Sequence, residues 1–332
     1  MNATVLPGSD AAPLRRAARW RAAEAAFWLL PIAAWFVFPD DLALLSQIAV
    51  AGLFALSLDL ILGYAGIISL GHAAFFGIGG YAAGLLAKYG VGDPLLGLIA
   101  SGLVAGSAGF LTSFLVLRGA DLTRLMVTLA VASMVFVAAN KLTSITGGLD
   151  GLQGIEMGKL LGWFEFDLYG RTGYVYCVII LFVLFWMARR LVHSPFGLSL
   201  QGVRQNVSRM PSIGTPVHAR LVAIYTVAAA YAGIAGALLT QTTQFISIDQ
   251  LSFSRSAEVM LMLVLGGTGT LYGGLVGAIV FMVAHHLLSD LDPQYWQFWL
   301  GILLIVVVLF ARGGIMGLLH AVGRRLVERR AA

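Results

Sequence analysis

Apolar segments of roughly bilayer length recur along almost the whole chain. They fall at about 24–38, 42–62, 67–87, 94–117, 123–140, 172–190, 219–240, 255–270, 273–289 and 295–311. A helix needs about 20 apolar residues to cross the hydrocarbon core, and within it a helix satisfies all its own backbone hydrogen bonds. The pattern predicts an all-α polytopic membrane protein with about ten transmembrane helices in residues 24–311.

The composition supports the same conclusion. Hydrophobic residues make up 59% of the 332 residues and charged residues only 11%, against about 25% charged in ordinary soluble domains. These values exclude a disordered chain, a nucleic-acid-binding domain and a typical cytosolic enzyme. The single cysteine, Cys177, excludes an intrachain disulfide and a cysteine-based metal site.

The distribution of charge predicts the orientation in the membrane. Arginines concentrate in an N-tail (1–23), a loop at 118–124, a loop at 191–218 with its flanks, and a C-tail (312–332), whereas the 141–171 loop is mixed. Positive loops stay in the cytoplasm, so we expect both termini and the 191–218 loop there and the 141–171 loop outside. No small-x-small cleavage site follows the N-terminal arginines, so we expect a retained first helix.

The eighth apolar segment leaves an alternative open. It is short and is interrupted by GGTGT at 266–270. If the eighth and ninth segments formed one re-entrant hairpin, the chain would cross the membrane eight times.

Glycine is concentrated in two blocks. Residues 63–84 read GYAGIISLGHAAFFGIGGYAAG, with a GxxxG pair at Gly80 and Gly84, and residues 266–274 read GGTGTLYGG. Small residues allow close helix packing in lipid, but glycine-interrupted helices also line transport paths. The two blocks suggest pseudo-symmetric halves, although general glycine richness explains them equally.

Few ionisable side chains fall within the apolar segments. His72 fits either a structural hydrogen bond or a contact with substrate, and Asp59 and Glu258 lie close enough to segment ends to reach the membrane surface. The absence of a charged relay argues against a proton- or sodium-driven carrier. The sequence also lacks a Walker A motif, a nucleophile elbow and HExxH, so neither an ATPase site nor an intramembrane enzyme is expected.

The 191–218 loop is longer than a connection needs to be. SPFG at 194–197 precedes a predicted short helix at about 198–209, and Pro211 and Pro216 prevent its continuation. The loop is either a positive-inside anchor or a docking site for a soluble partner.

Four blocks in order resemble the branched-chain amino acid ABC transporter permeases, and the resemblance covers about 42–318. The long 141–171 loop resembles the longer of the two permease types in such systems. The matching blocks are SLGHAAFFGIGGY (69–81), TGGLDGL (146–152), SPFG (194–197) with Arg204, Gly214 and AGIAGAL (232–238), and Glu258 with GGTGTLYGG (266–274) and Gly277-Ala278.

The resemblance implies a permease subunit of an ATP-driven importer in the bacterial inner membrane. Its expected partners are a second permease, two cytoplasmic ATPases that bind the ATP, and a periplasmic substrate-binding protein. Related permeases carry urea, short amides or aromatic acids, and a stand-alone carrier or channel is a more distant alternative. The candidate pathway residues are Gly71, His72, Phe75, Gly80, Gly267 and Gly269, and the candidate ATPase-coupling residues are Ser194, Pro195, Gly197, Arg204 and Arg209.

The coupling loop departs from the family pattern at several positions. Leu198, Gly202 and Gln205 stand where arginine, alanine and glutamate are usual, and Pro211 replaces a common alanine. We therefore expect a contact with the ATPase that differs in detail.

Overall fold

A computed structural model describes residues 22–119, 121–160, 162–164, 166, 170–310 and 313–318. The predicted basic tails lie almost entirely outside these residues. The helices are α1 (Ala22–Val37), α2 (Leu42–Asp59), α3 (His72–Lys88), α4 (Pro94–Val116), α5 (Asp121–Lys141), α6 (Thr143–Thr146), α7 (Arg171–Val192), α8 (Pro195–Gln205), α9 (Val217–Thr243), α10 (Phe253–Gly266), α11 (Tyr272–Leu291) and α12 (Trp296–Phe310). A π-helix, Leu60–Tyr64, extends α2.

The described part of the chain is all-helical apart from two isolated β-bridges. Apart from α6 and α8, each of these helices corresponds to one of the ten apolar segments. Among the described residues, six helical segments are long and apolar enough to cross a membrane: Leu42–Tyr64, Pro94–Val116, Leu122–Lys141, Arg171–Val192, Val217–Thr243 and Tyr272–Leu291. The chain is therefore a multi-pass membrane protein, while ten crossings and the placement of the termini stay predictions.

The helix limits correct two of the predicted segments. The third helix begins at His72 rather than at 67, and the eighth ends at Gly266 rather than at 270. Gly66 (φ 73°) and Gly269 (φ 78°) adopt left-handed conformations that interrupt a helix. Part of each glycine block is thus an irregular break between two helices, which we call break 1 (65–71, between α2 and α3) and break 2 (267–271, between α10 and α11).

The centre of the bundle is formed by α3, α4 and α9, which approach one another at glycines. A Cβ atom on Gly79 would overlap the backbone of Gly233, and one on Gly236 would overlap the Phe76 carbonyl oxygen and lie 3.0 Å from Gly80 N. Contacts this close let van der Waals attraction hold helices together where no hydrophobic effect operates. Packing therefore accounts for the glycines of α3 that face α9.

We call the side of the bundle that carries α8 the basic side, and the side that carries 141–170 the outer-loop side. The segment between α9 and α10 (244–252) runs along α3 from the outer-loop side toward the basic side. Successive contacts pair Gly80 with Ile246, Gly77 with Leu251, and Ala73 N–H with Ser256 Oγ (3.0 Å). Helix α10, only 14 residues long, therefore begins deep in the bundle, and Glu258 is not near an outer end as the sequence suggested.

Helix packing at glycine can be tested with one pair of substitutions. We expect Gly236→Ala to destabilise the protein by about 1–3 kcal/mol, because the added methyl group overlaps α3 and well-packed cores resist overpacking. Gly301→Ala is the control, since a Cβ there meets no atom within 4 Å. Thermal unfolding of the detergent-purified protein measures both, and equal stability of the two variants would contradict this packing.

Candidate functional site

The carboxylate of Asp59 joins the end of α2 to break 2 on the basic side. Asp59 is fully buried at the end of α2, and it accepts hydrogen bonds from Gly269 N–H (2.7 Å) and Leu271 N–H (3.1 Å). Both donors belong to break 2, so one side chain holds the end of α2 against the start of α11. The expectation that Asp59 reaches the membrane surface is wrong, because break 2 folds over it.

Arg204, the last basic residue of α8, reaches the same place. Its Nη1 atom donates a hydrogen bond to the Gly63 carbonyl oxygen, which lies in the π-helix just before break 1. Carbonyl groups at a helix end lack partners within the helix. A helix on the surface of the bundle thus supplies the donor for a backbone group inside it.

Glycine at positions 63, 66 and 269 makes this approach possible. A Cβ on Gly63 would overlap Asp59 Oδ1 and lie 2.6 Å from Gly269 N, and a Cβ on Gly66 would lie 3.1 Å from Arg204 Cγ. Larger residues at these places would occupy space that the aspartate and arginine side chains fill. We call the group Asp59, Gly63, Arg204, Gly269 and Leu271 the junction.

Helix α8 is formed by local signals that the sequence carried. Ser194 Oγ accepts a hydrogen bond from Gly197 N–H (3.4 Å), and Pro195 occupies the first helical position. Gly197 passes so close to the Val192 carbonyl that no side chain fits. Leu200 and Val203, buried to 1% exposure each, fix the face that packs on the bundle.

Helix α8 begins and ends earlier than predicted, because it spans Pro195–Gln205 rather than about 198–209. Asn206 is extended, and its Oδ1 accepts a hydrogen bond from Arg209 N–H (3.1 Å). Arg209 therefore lies beyond the helix and is exposed. Arg204 is also exposed as a whole residue, but its Nη1 atom reaches the Gly63 carbonyl oxygen of the junction. The predicted coupling residues thus divide into a capping group, one arginine that contacts the junction and one that does not.

Three of the four family departures in this loop lie on its outer surface, whereas Gly202 packs against Met210, where a Cβ atom would lie 2.7 Å from the sulfur. Leu198 and Gln205 are exposed, and Pro211 opens a 3₁₀ turn, Pro211–Ile213. Together with exposed Val207 and Ile213 they change the surface of the loop without touching the junction.

The pathway candidates of α3 lie in the packed core. His72 Nε2 hydrogen-bonds Ser57 Oγ (2.8 Å), and its ring stacks on Phe54 with centroids 5.7 Å apart. Phe75 packs edge-on against Tyr225, and Gly80 faces α9. The contacts of His72 match its structural interpretation.

The remaining candidates lie near the basic side. A Cβ on Gly71 would overlap the Thr128 carbonyl, so this glycine lets break 1 approach α5. Gly267 (φ 108°) faces Gly313, while Gly269 belongs to the junction. The structure therefore brings one pathway candidate, Gly269, next to one coupling candidate, Arg204.

Two ion pairs lie outside the sequence-based set of candidate sites. Arg189 belongs to the basic flank of the 191–218 loop that was used to predict the orientation. It is buried and paired with Glu24, and this ion pair links α7 to α1. Arg255 pairs with Glu258 at Nη1–Oε2 2.8 Å. The sequence analysis did not identify this second pair, although opposite charges three residues apart in one helix were a signal from which it could have been found.

Comparison with known proteins assigns the family. Residues 42–308 match the model of the branched-chain amino acid transport system / permease component family. The chain belongs to this family of permeases. It is 30% identical over 299 residues to the high-affinity branched-chain amino acid transport system permease protein LivM of Escherichia coli K12, an alignment that covers 83% of this chain and 69% of that protein.

The LivM protein of Salmonella typhimurium is similar to the same extent, with 29% identity and the same coverage of each chain. No solved structure matches the chain. Members of this family are transport subunits rather than enzymes, so partner subunits are part of the functional unit.

The role of Asp59 in the junction can be measured directly. We expect Asp59→Ala to destabilise the protein by at least about 2 kcal/mol, because it leaves two buried backbone N–H groups without an acceptor. Asp290→Ala is the control, since this carboxylate is 66% exposed and exposed pairs contribute little. Thermal unfolding in detergent should separate the two variants, and an unaffected Asp59→Ala protein would contradict the junction.

Proposed function

We propose that the chain is the transmembrane permease subunit of an ATP-driven importer for branched-chain amino acids. The observation that carries this proposal is the junction, in which the surface helix α8 is connected to the breaks of two membrane helix pairs. A permease driven by soluble motors needs such a connection between its surface and its transport path. Family membership and the printed function of the LivM relatives favour branched-chain amino acids over urea, short amides or aromatic acids.

The mechanism we propose is alternating access. Closure of the ATPase dimer moves α8, and Arg204 carries this movement to Gly63 and hence to break 1. Asp59 carries it to Gly269 and Leu271 in break 2. Helices α3 and α11 begin immediately after these breaks, so a small displacement at the junction tilts both. The path we propose opens when α3 tilts away from the packing that encloses Gly71, His72, Phe75 and Gly80, and it also runs beside Gly267 and Gly269.

The partners follow from the same proposal. Two ATPases bind ATP, and they contact the permease at α8 and at the exposed loop after it, which includes Arg209. A second permease completes the path, and a substrate-binding protein delivers amino acid to the outer-loop side. The assembly would lie in the bacterial inner membrane with the basic side in the cytoplasm.

The orientation can be tested with single cysteines. The native Cys177 is fully buried, so background labelling by a membrane-impermeant maleimide should be low. We expect Gln205→Cys, at the exposed end of α8, to react only in inverted vesicles. Gln153→Cys, exposed on the outer-loop side, should react only in intact cells. The reverse pattern would contradict the proposal that cytoplasmic ATPases bind α8.

The coupling role of Arg204 can be tested in the complex reconstituted with both ATPases and the second permease. We expect Arg204→Gln to lower ATP-driven leucine uptake at least tenfold, because α8 then loses its contact with Gly63. Arg204→Glu should also weaken co-purification of the ATPases. Lys88→Gln, an exposed change on the outer-loop side, is the control. Uptake by the chain alone, without ATPases, would instead favour a stand-alone carrier.

A further inference from the structure

Helix α10 brings two charged side chains to the middle of the membrane. Arg255 Cζ lies 5.8 Å from the centre of the Phe76 ring. Phe76 is twelve residues from the end of α3 at Lys88, which is about 18 Å along a helix axis, and the hydrocarbon core is about 30 Å thick. The Arg255–Glu258 pair therefore lies near half depth, far from either membrane surface.

The pair is not enclosed by the bundle. The side chains of Arg255 and Glu258 are 25% and 38% exposed, and Glu258 belongs to an exposed stripe along α10 that also contains Ser254, Leu261 and Val264. Charged groups at this depth are expensive against lipid and are found facing water or partner protein. The two charged side chains therefore face water or a partner protein rather than lipid.

The backbone before α10 supports the same conclusion. Residues 244–252 approach the pair without forming an α-helix, and Ser252 Oγ accepts the Arg255 N–H (3.2 Å) where α10 begins. Irregular backbone at membrane depth occurs where it is buried in protein or lines a water-filled cavity. The positive end of a helix dipole at that point favours an anionic group nearby.

We propose that Arg255 and Glu258 bind the α-carboxylate and the α-ammonium group of the transported amino acid. This inference rests on the proposed function, and it names the groups that recognise the substrate. Without substrate the two side chains neutralise each other. A zwitterion can insert between them and replace one ion pair by two, with guanidinium on carboxylate and carboxylate on ammonium, so the total charge of the site is unchanged.

The pair recognises only the part that all α-amino acids share. Selection for a branched apolar side chain must then come from other surfaces of the path. Compounds that lack one of the two charges should bind poorly, because they leave one member of the pair unpaired at membrane depth. The expected poor ligands are 4-methylpentanoate, which is leucine without its ammonium group, and 3-methylbutylamine, which is leucine without its carboxylate.

A purely structural ion pair would behave differently from a recognition site. Exchanging the charges in Arg255→Glu/Glu258→Arg keeps an ion pair and should preserve a structural role. The exchange reverses the charges that the substrate meets, so it should not restore transport. Replacing both by neutral residues of similar size, as in Arg255→Met/Glu258→Gln, removes recognition without leaving an unpaired charge.

The experiment measures ATP-driven leucine uptake by the complete reconstituted complex, with assembly followed by co-purification of all subunits. We expect both double variants to assemble and to lose uptake at least tenfold. Glu258→Gln alone should raise inhibition of the residual uptake by 4-methylpentanoate relative to leucine. The control is Asp290→Asn, which removes an exposed carboxylate from the His286–Asp290 pair of α11 and should leave uptake unchanged.

The outcomes separate this inference from the proposed function. If the wild-type complex takes up no leucine, the proposed function fails and the inference fails with it. If the wild-type complex transports leucine and either double variant does so equally well, the inference alone is overturned. If the double variants fail to assemble, the single variant Glu258→Gln tests the inference. Unchanged leucine uptake together with unchanged inhibition by 4-methylpentanoate would contradict recognition of the substrate by this pair.

Discussion

The buried carboxylate of Asp59 is the interaction on which the basic side of the bundle depends. A polar group removed from water must find partners, and backbone N–H groups released where a helix breaks need acceptors. Asp59 and break 2 satisfy each other through Gly269 and Leu271. The same contact holds the α2–α3 pair against the α10–α11 pair, so an irregular backbone persists at a depth where lipid alone would not tolerate it.

Glycine has two separate functions in this fold. In α3 and α9 it removes side chains so that helices pack at backbone distance, as between Gly79 and Gly233. In the two breaks it adopts left-handed conformations that regular helices exclude. The first function makes a rigid centre and the second makes places where helices can change direction. A rigid core beside two breaks is an arrangement suited to tilting short helices without unfolding them.

Charges are distributed in the structure according to the environment that each can find. Arg189 is buried because Glu24 neutralises it, and the guanidinium group of exposed Arg204 turns toward the bundle because the Gly63 carbonyl accepts its hydrogen bond. Arg209 finds no such partner within its loop and lies exposed. The Arg255–Glu258 pair is partly exposed at membrane depth, and among these environments it is the one that favours a polar ligand.

The amino-acid sequence by itself determined the all-helical membrane fold, the positions of the apolar helices, the existence of the short surface helix α8, and the family. These properties follow from local periodicity, capping chemistry and motif order. Tertiary structure alone decided that part of each glycine block is a helix break, that Asp59 is buried, that Arg204 and Gly269 meet, and that α10 begins at half depth. Each of these depends on contacts between residues far apart in the chain, such as Asp59 and Gly269, and no local pattern encodes which distant backbone group will lie beside a given side chain.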